Sequence, residues 1–182
     1  MGRVFDGIDG KLASFIMSQR LFFVGTAPAG ADGHVNVSPK GFDTFRIVDE
    51  RTVAYLDLTG SGIETVAHIR ENGRVTIMLC AFEGPPRIVR LQGRGRVVEP
   101  CDPEWDSWRS RFDARGGIRS VIVVALDRIS DSCGHGVPLM SYQGERPQMP
   151  AWVDHKGEDG IAVYQAEHNL SVDGLPGLRS KP

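Results

Sequence analysis

Two segments of this chain carry side chains that could do chemistry together. His34–Gly41 reads HVNVSPKG and alternates strictly, so His34, Asn36, Ser38 and Lys40 share one face of a strand while Val35 and Val37 share the other. Thr59–Thr65 reads TGSGIET, a glycine-flanked helix start in which Ser61 and Glu64 match the S-x-x-E capping box. The leading amides of a helix carry partial positive charge, so an anion such as a phosphate could dock there beside the Ser61 and Thr65 hydroxyls. Gly60 and Gly62 would let the backbone approach it closely. Lys40 could meet the same anion or the polar edge of a ring system. A plainer reading satisfies the same residues: a well-capped helix, whose Glu64 competes with any anion, and a solvated lysine near Asp43.

A third candidate is the row Arg90, Arg94 and Arg96, three guanidiniums on one side of a strand while alternation holds through Gly93 and Gly95. Such a row binds an anionic ligand or, more commonly, faces carboxylates of a neighbouring strand. The five histidines lack metal-site spacing, and no nucleophile elbow, Walker loop or strand-to-helix G-x-G-x-x-G occurs. No catalytic residue and no metal ligand is assigned.

The elements that must position these groups follow from periodicity. Residues 7–19 read as a short helix, and Leu21–Ala27, Phe45–Val48 and Thr52–Leu58 as strands. Asn72-Gly73 stops the helix that starts at Ser61. Arg74–Ala81, apolar on both faces, is a central strand, and Pro39 places the Lys40 strand at an edge or bulge. Arg87–Pro100 is long and bends at its glycines. Asp102 is expected to cap a helix with Pro103 at its first position and Trp105, Trp108 and Phe112 along it. Arg119–Leu126 is a last strong strand, and glycine and proline dominate from Ser130 until a helix near Gly160–His168. About six strands joined by tight turns, with one helix inserted midway, favour a closed or half-closed antiparallel barrel.

Bulk properties narrow the function. The 182 residues suit one domain, with 41% hydrophobic and 24% charged residues and a net charge of −2. That balance gives no electrostatic case for nucleic acid or an anionic membrane. Three scattered cysteines, with no C-x-x-C, fit a reducing cytoplasm, and Cys80 reads as a small core residue. The apolar run Leu12–Met17 is too short for a membrane span and lacks the features of a secretory leader.

With HVNVSPKGFDTFR, TVAYLDLTGSGIETVAHIRENGRVTIMLCAF and PPRIVRLQGRGRVV in this order, the chain resembles the pyridoxamine 5′-phosphate oxidase-like family over roughly residues 8–130. The resemblance implies a mainly β fold with flanking helices: a six-stranded antiparallel split β-barrel of the FMN-binding type. It implies a barrel domain over residues 1–130 and an extension over 131–182 that packs on the barrel or on a partner subunit. It also implies a homodimer with FMN at the interface, or a deazaflavin coenzyme in its place. Asn36, Val37, Ser38 and Lys40 would then line the ring and ribityl region. Tyr55, Asp57, Ser61, Gly62 and Thr65 would hold the phosphate, and Arg90 would pass beneath the cofactor. Gly62 and Ile63 stand where the oxidases of the family carry an Arg-Lys phosphate clamp. The implied activity is flavin-dependent hydride transfer to or from a small molecule. The alternative is a non-enzymatic protein that binds or senses flavin, deazaflavin or haem.

Overall fold

The computed structural model describes residues 2–179 as one curled antiparallel sheet carrying helices on its faces. Its elements are β1 (Val4–Phe5), α1 (Gly10–Ser18), β2 (Phe22–Thr26), β3 (Asn36–Lys40), β4 (Phe45–Asp49), β5 (Thr52–Leu58), α2 (Glu64–Asn72), β6 (Arg74–Cys80), β7 (Ile88–Val98), α3 (Trp105–Arg109), β8 (Ile118–Ser132) and α4 (Gln148–Glu167). The strand order is β3-β2-β6-β7-β8-β5-β4, with β1 pairing to β8. Eight strands therefore stand where about six were expected. The two-residue β1 is too short to show a period, and β8 runs on past the expected barrel boundary at residue 130.

The sheet is not closed. Its two ends, β3 and β4, are joined by the short turn Gly41–Thr44 without pairing to each other. In that turn Phe42 and Asp43 both take positive φ, 63° and 53°. Aspartate tolerates this region, but a bulky phenylalanine there is an outlier.

Inside the curl lies the main core. Val24, Tyr55, Ile77, Leu91 and Ile122 are fully buried there, and α1 contributes Leu12 and Ile16. The other face of β5, β7 and β8 buries Leu56, Val98 and Val121 under Trp105, Trp108 and Phe112. Both faces of β5 are thus apolar, as its run TVAYLDL demands. β7 bends at a register shift between Gln92 and Gly93. A side chain on Gly93 would sit 2.0 Å from the Ala125 carbonyl oxygen, so only glycine permits that crossing.

Two helix starts differ from expectation. α2 begins at Glu64 rather than at Ser61: its N-cap is Ile63, and no side chain caps it. The Ser61–Glu64 capping box does not form: the helix starts three residues later, and the Glu64 carboxylate accepts from the Val172 amide at 3.3 Å. α3 begins at Trp105 and ends at Arg109, short of Phe112. Asp102 caps no helix; its carboxylate accepts from the Glu99 amide at 2.8 Å, closing a turn ahead of Pro103. α2 does stop at Gly73, in the left-handed conformation (φ 71°) that glycine adopts without penalty.

After β8 an irregular stretch leads to α4, which is interrupted at Gly157 (φ 66°, ψ 175°). The chain returns across α2, where Asp173 accepts from the His34 amide at 2.8 Å and Arg179 pairs with Glu99.

Candidate functional site

Cross-strand partners share a face of the sheet, and this sorts the candidate residues. Lys40 pairs with Phe22, Ser38 with Val24 and Asn36 with Thr26, all on the inward face. Val35 and Val37, 73% and 63% exposed, point outward. Pro39, Phe23, Met78 and Arg90 run in register across β3, β2, β6 and β7 on that outward face. Arg90 therefore points away from the Lys40 row and donates to the Ser132 hydroxyl at 2.9 Å. The arginine row does not act as one patch. Arg94 donates to the Asn72 carbonyl, and Arg96 pairs with Glu104.

The inward row divides into a neutral bracket and a charged cluster. In the bracket, the Asn36 amide donates to the Thr26 hydroxyl at 3.2 Å and to the Thr65 hydroxyl at 3.1 Å. Its oxygen accepts from Ser38 at 3.1 Å. Thr26 in turn meets His68 Nδ1 at 3.0 Å. Both amide hydrogens of Asn36 are thus occupied, and the side chain is fixed. Ser38, having donated inward, keeps its lone pairs for an incoming N–H. Burial lowers the His68 pKa, offset only in part by Asp173, Glu64 and Glu71, so the ring is neutral.

The charged cluster centres on Asp57, which is fully buried. Lys40 Nζ lies 3.2 Å from Asp57 Oδ1. Arg119 grips both carboxylate oxygens, at 2.8 and 3.2 Å, and donates to the Gly62 carbonyl at 2.7 Å. Burial alone would raise the Asp57 pKa, but Arg119 and Lys40 together outweigh it and hold the carboxyl below its usual range. One anion against two cations leaves the cluster net positive, and Lys40 keeps two donors free of Asp57.

Arg119 is the residue that sequence reasoning missed. Asp57 pairs with Ser120 and Leu58 with Ile118, so Arg119 is the unpaired residue of a β-bulge, and the bulge aims its side chain at Asp57. Nothing in the run IRSVIVVAL marks that irregularity; the only signal was a lone arginine at the head of an otherwise apolar strand.

The remaining candidates are dispersed. Tyr55 packs edge-on against Phe22 in the core, with its hydroxyl buried and without a partner among the described residues. Burial, reinforced by the Asp57 charge, pushes that phenol well above its usual pKa. Ser61 is exposed in the loop ahead of α2, and the hydroxyl of the buried Thr65 is taken up by Asn36. A side chain on Gly62 would meet Glu64 Oε2 at 2.3 Å, so the chain's own carboxylate lies over that glycine.

Residues 8–133 match the family model of pyridoxamine 5′-phosphate oxidase. This chain belongs to the pyridoxamine 5′-phosphate oxidase family. The pyridoxamine 5′-phosphate oxidase family protein ustO of Aspergillus flavus is 37% identical over 194 residues, spanning 97% of this chain and 78% of that protein. Among solved structures, the fold is similar to that of Group A Streptococcus HupZ (TM-score 0.54, 23% identity, 67% of this chain and 91% of that one). It is similar also to a candidate pyridoxamine 5′-phosphate oxidase of Lactobacillus delbrueckii (TM-score 0.53, 15% identity, 70% of this chain and 98% of that one). These similarities account for the split-barrel architecture. No helix among the described residues is long and apolar enough to cross a membrane.

Proposed function

We propose that this protein is an FMN-dependent oxidoreductase that moves a hydride to or from a small molecule, working as a homodimer. The observation that carries this reading is the inward row of β3. Ser38 offers an acceptor and Lys40 a donor, two residues apart on one face, in a chain of the pyridoxamine 5′-phosphate oxidase family. That alternation matches the N–H and C=O edge of a flavin ring, and a bound flavin supplies the hydride chemistry itself.

The residues fit a flavin with one adjustment. Asn36, held by Thr26 and Thr65, keeps Ser38 in place, and Lys40 adds positive charge beside the ring edge. Ser61, the backbone at Gly62 and Arg119, which Asp57 holds in place, would hold the phosphate end. There the Glu64 carboxylate must swing off Gly62. Its hydrogen bond to the Val172 amide is long, at 3.3 Å, and it is the free end of a flexible side chain, so the move costs little. Val37 contributes through its backbone only, because its side chain points outward. Arg90, on the outward face, would reach a flavin held by a partner subunit rather than its own chain's.

The same Glu64 placement favours the haem form of a second reading, a non-enzymatic protein that binds or senses flavin, deazaflavin or haem, since a carboxylate left over Gly62 opposes a phosphate and haem carries none. Stopped-flow mixing of the flavin-loaded protein with reduced nicotinamide, then with a panel of electron acceptors, separates the two. Reduction followed by reoxidation supports the oxidoreductase. Reduction with no oxidation by any acceptor supports the binding protein.

A further inference from the structure

A cavity of about 890 Å³ lies between α3, the start of β8 and α4, separate from the Lys40 row and bounded on one side by Arg119. Its size falls within the usual range for small-molecule sites, roughly 300–1,000 Å³. Three features hold it open. α4 breaks at Gly157, and residues of both its halves line the cavity. Gln165 of that half is tied to Thr59 at 2.8 Å. Val153 of the first half sits so close to Gly116 and Gly117 that a side chain on either would meet it at 2.7 Å.

The lining has an asymmetric chemistry. Trp105, Ile118, Ile161 and Ala162 make apolar walls. Arg109 and Arg115 also line the space, and neither makes an ion pair within 4 Å among the described residues. Among the described residues Arg109 donates only to the Phe112 carbonyl, at 2.9 Å. Arg115 has its Nε buried with no partner among the described residues; it also borders a smaller neighbouring cavity, where its guanidinium lies 5.9 Å from the centre of the Phe42 ring. A buried donor without an acceptor is costly, and a planar carboxylate satisfies a guanidinium with two parallel hydrogen bonds. Asp154 and Glu158 face the cavity from α4. Their negative charge limits the charge it can accept, which disfavours a phosphate dianion and favours a monoanion.

We infer that this cavity binds a small organic monocarboxylate with an aromatic or similarly apolar body. The carboxylate lies on Arg115, and the body packs between Trp105, Ile118 and the second half of α4. The site shares only Arg119 with the residues assigned to the flavin, and neither its arginine pair nor its apolar walls belong to that reading, so it stands apart from it.

The test uses the full chain without cofactor and 3-phenylpropionate as probe, with the neutral 3-phenylpropionamide as control, followed by isothermal titration calorimetry. The acid is expected to bind saturably and at least about tenfold more tightly than the amide. Arg115→Gln, which removes the charge, and Ala162→Phe, which fills the cavity, should each weaken the acid by about tenfold or more. If either variant fails to fold, amide shifts at Gly117 and Ile118 of the unmodified chain decide, being expected with the acid and not with the amide. Equal affinity for acid and amide, no saturable heat up to about 10 mM, or unchanged affinity in a folded variant would overturn the inference.

Discussion

The two halves of the inward β3 row solve the problem of buried polarity in opposite ways. Around Asn36 the groups are neutral, and hydroxyls and one amide satisfy one another with Thr26, Thr65 and Ser38. Around Asp57 the groups are charged, and a buried carboxylate depends on Arg119 and Lys40. Neutral brackets fail by degrees, because each lost bond exposes one modest donor or acceptor. A buried charge fails abruptly, because removing its partner strands a carboxylate in low dielectric. The first region fixes geometry; the second sets local potential.

Arg119→Met should break this contrast most visibly. It leaves Asp57 with Lys40 alone and releases the Gly62 carbonyl, so urea unfolding is expected to show a loss of about 3–5 kcal/mol. A loss under about 1 kcal/mol would mean that the cluster is far more hydrated than its burial implies. Asn36→Ala removes the neutral bracket and should cost less, about 1–3 kcal/mol, by leaving the Thr26 and Thr65 hydroxyls without that partner. If it cost as much as Arg119→Met, the distinction between the two regions would fail.

Acid titration sharpens the comparison further. Both His68 and Asp57 have folded pKa values below their ordinary ones, so in each case the unfolded chain takes up the proton first. Their stabilisation is full above the ordinary pKa and lost as pH falls through the folded one. The His68 contribution should decline from about pH 6.5 downward and the Asp57 contribution only from about pH 3.8 downward. His68→Gln should flatten the upper limb of the stability profile and leave the lower limb unchanged. A profile that His68→Gln leaves unaltered above pH 5 would contradict this assignment.

The smallest effect is expected at Tyr55. Its hydroxyl is buried without a partner beside the Asp57 cluster. Tyr55→Phe removes that unsatisfied group and should leave stability unchanged or raise it by up to about 1 kcal/mol. A marked loss in thermal unfolding would reveal a hydrogen bond from Tyr55 to the charged region.

What could be read in the sequence follows physical locality. The alternation of HVNVSPKG put Asn36, Ser38 and Lys40 on one face because a strand's period is two, and Pro39 marked β3 as an edge. The stop of α2 at Asn72-Gly73 was local too, because a glycine after a helix takes the left-handed conformation. The failures were long-range. The Ser61–Glu64 capping box was locally sound but lost to contacts more than fifty residues away: Arg119 on the Gly62 carbonyl and the Val172 amide on Glu64. Arg119 itself was hidden because a bulge, unlike a strand, leaves no periodic mark. Register across β2 and β6 puts Arg90 on the face opposite Lys40, a relation between distant strands that no local period marks. The first half of α4 was obscured by Pro150 and Gly157, residues that ordinarily end helices and here sit at its first turns and its break.

The central claim is that the Lys40 row receives a flavin. Titration of the cofactor-free protein with FMN, followed by quenching of flavin fluorescence, tests it most directly. The account predicts a dissociation constant below about 1 mM that rises about tenfold or more in folded Lys40→Met, whereas no saturable quenching, or the same constant in both proteins, would contradict it.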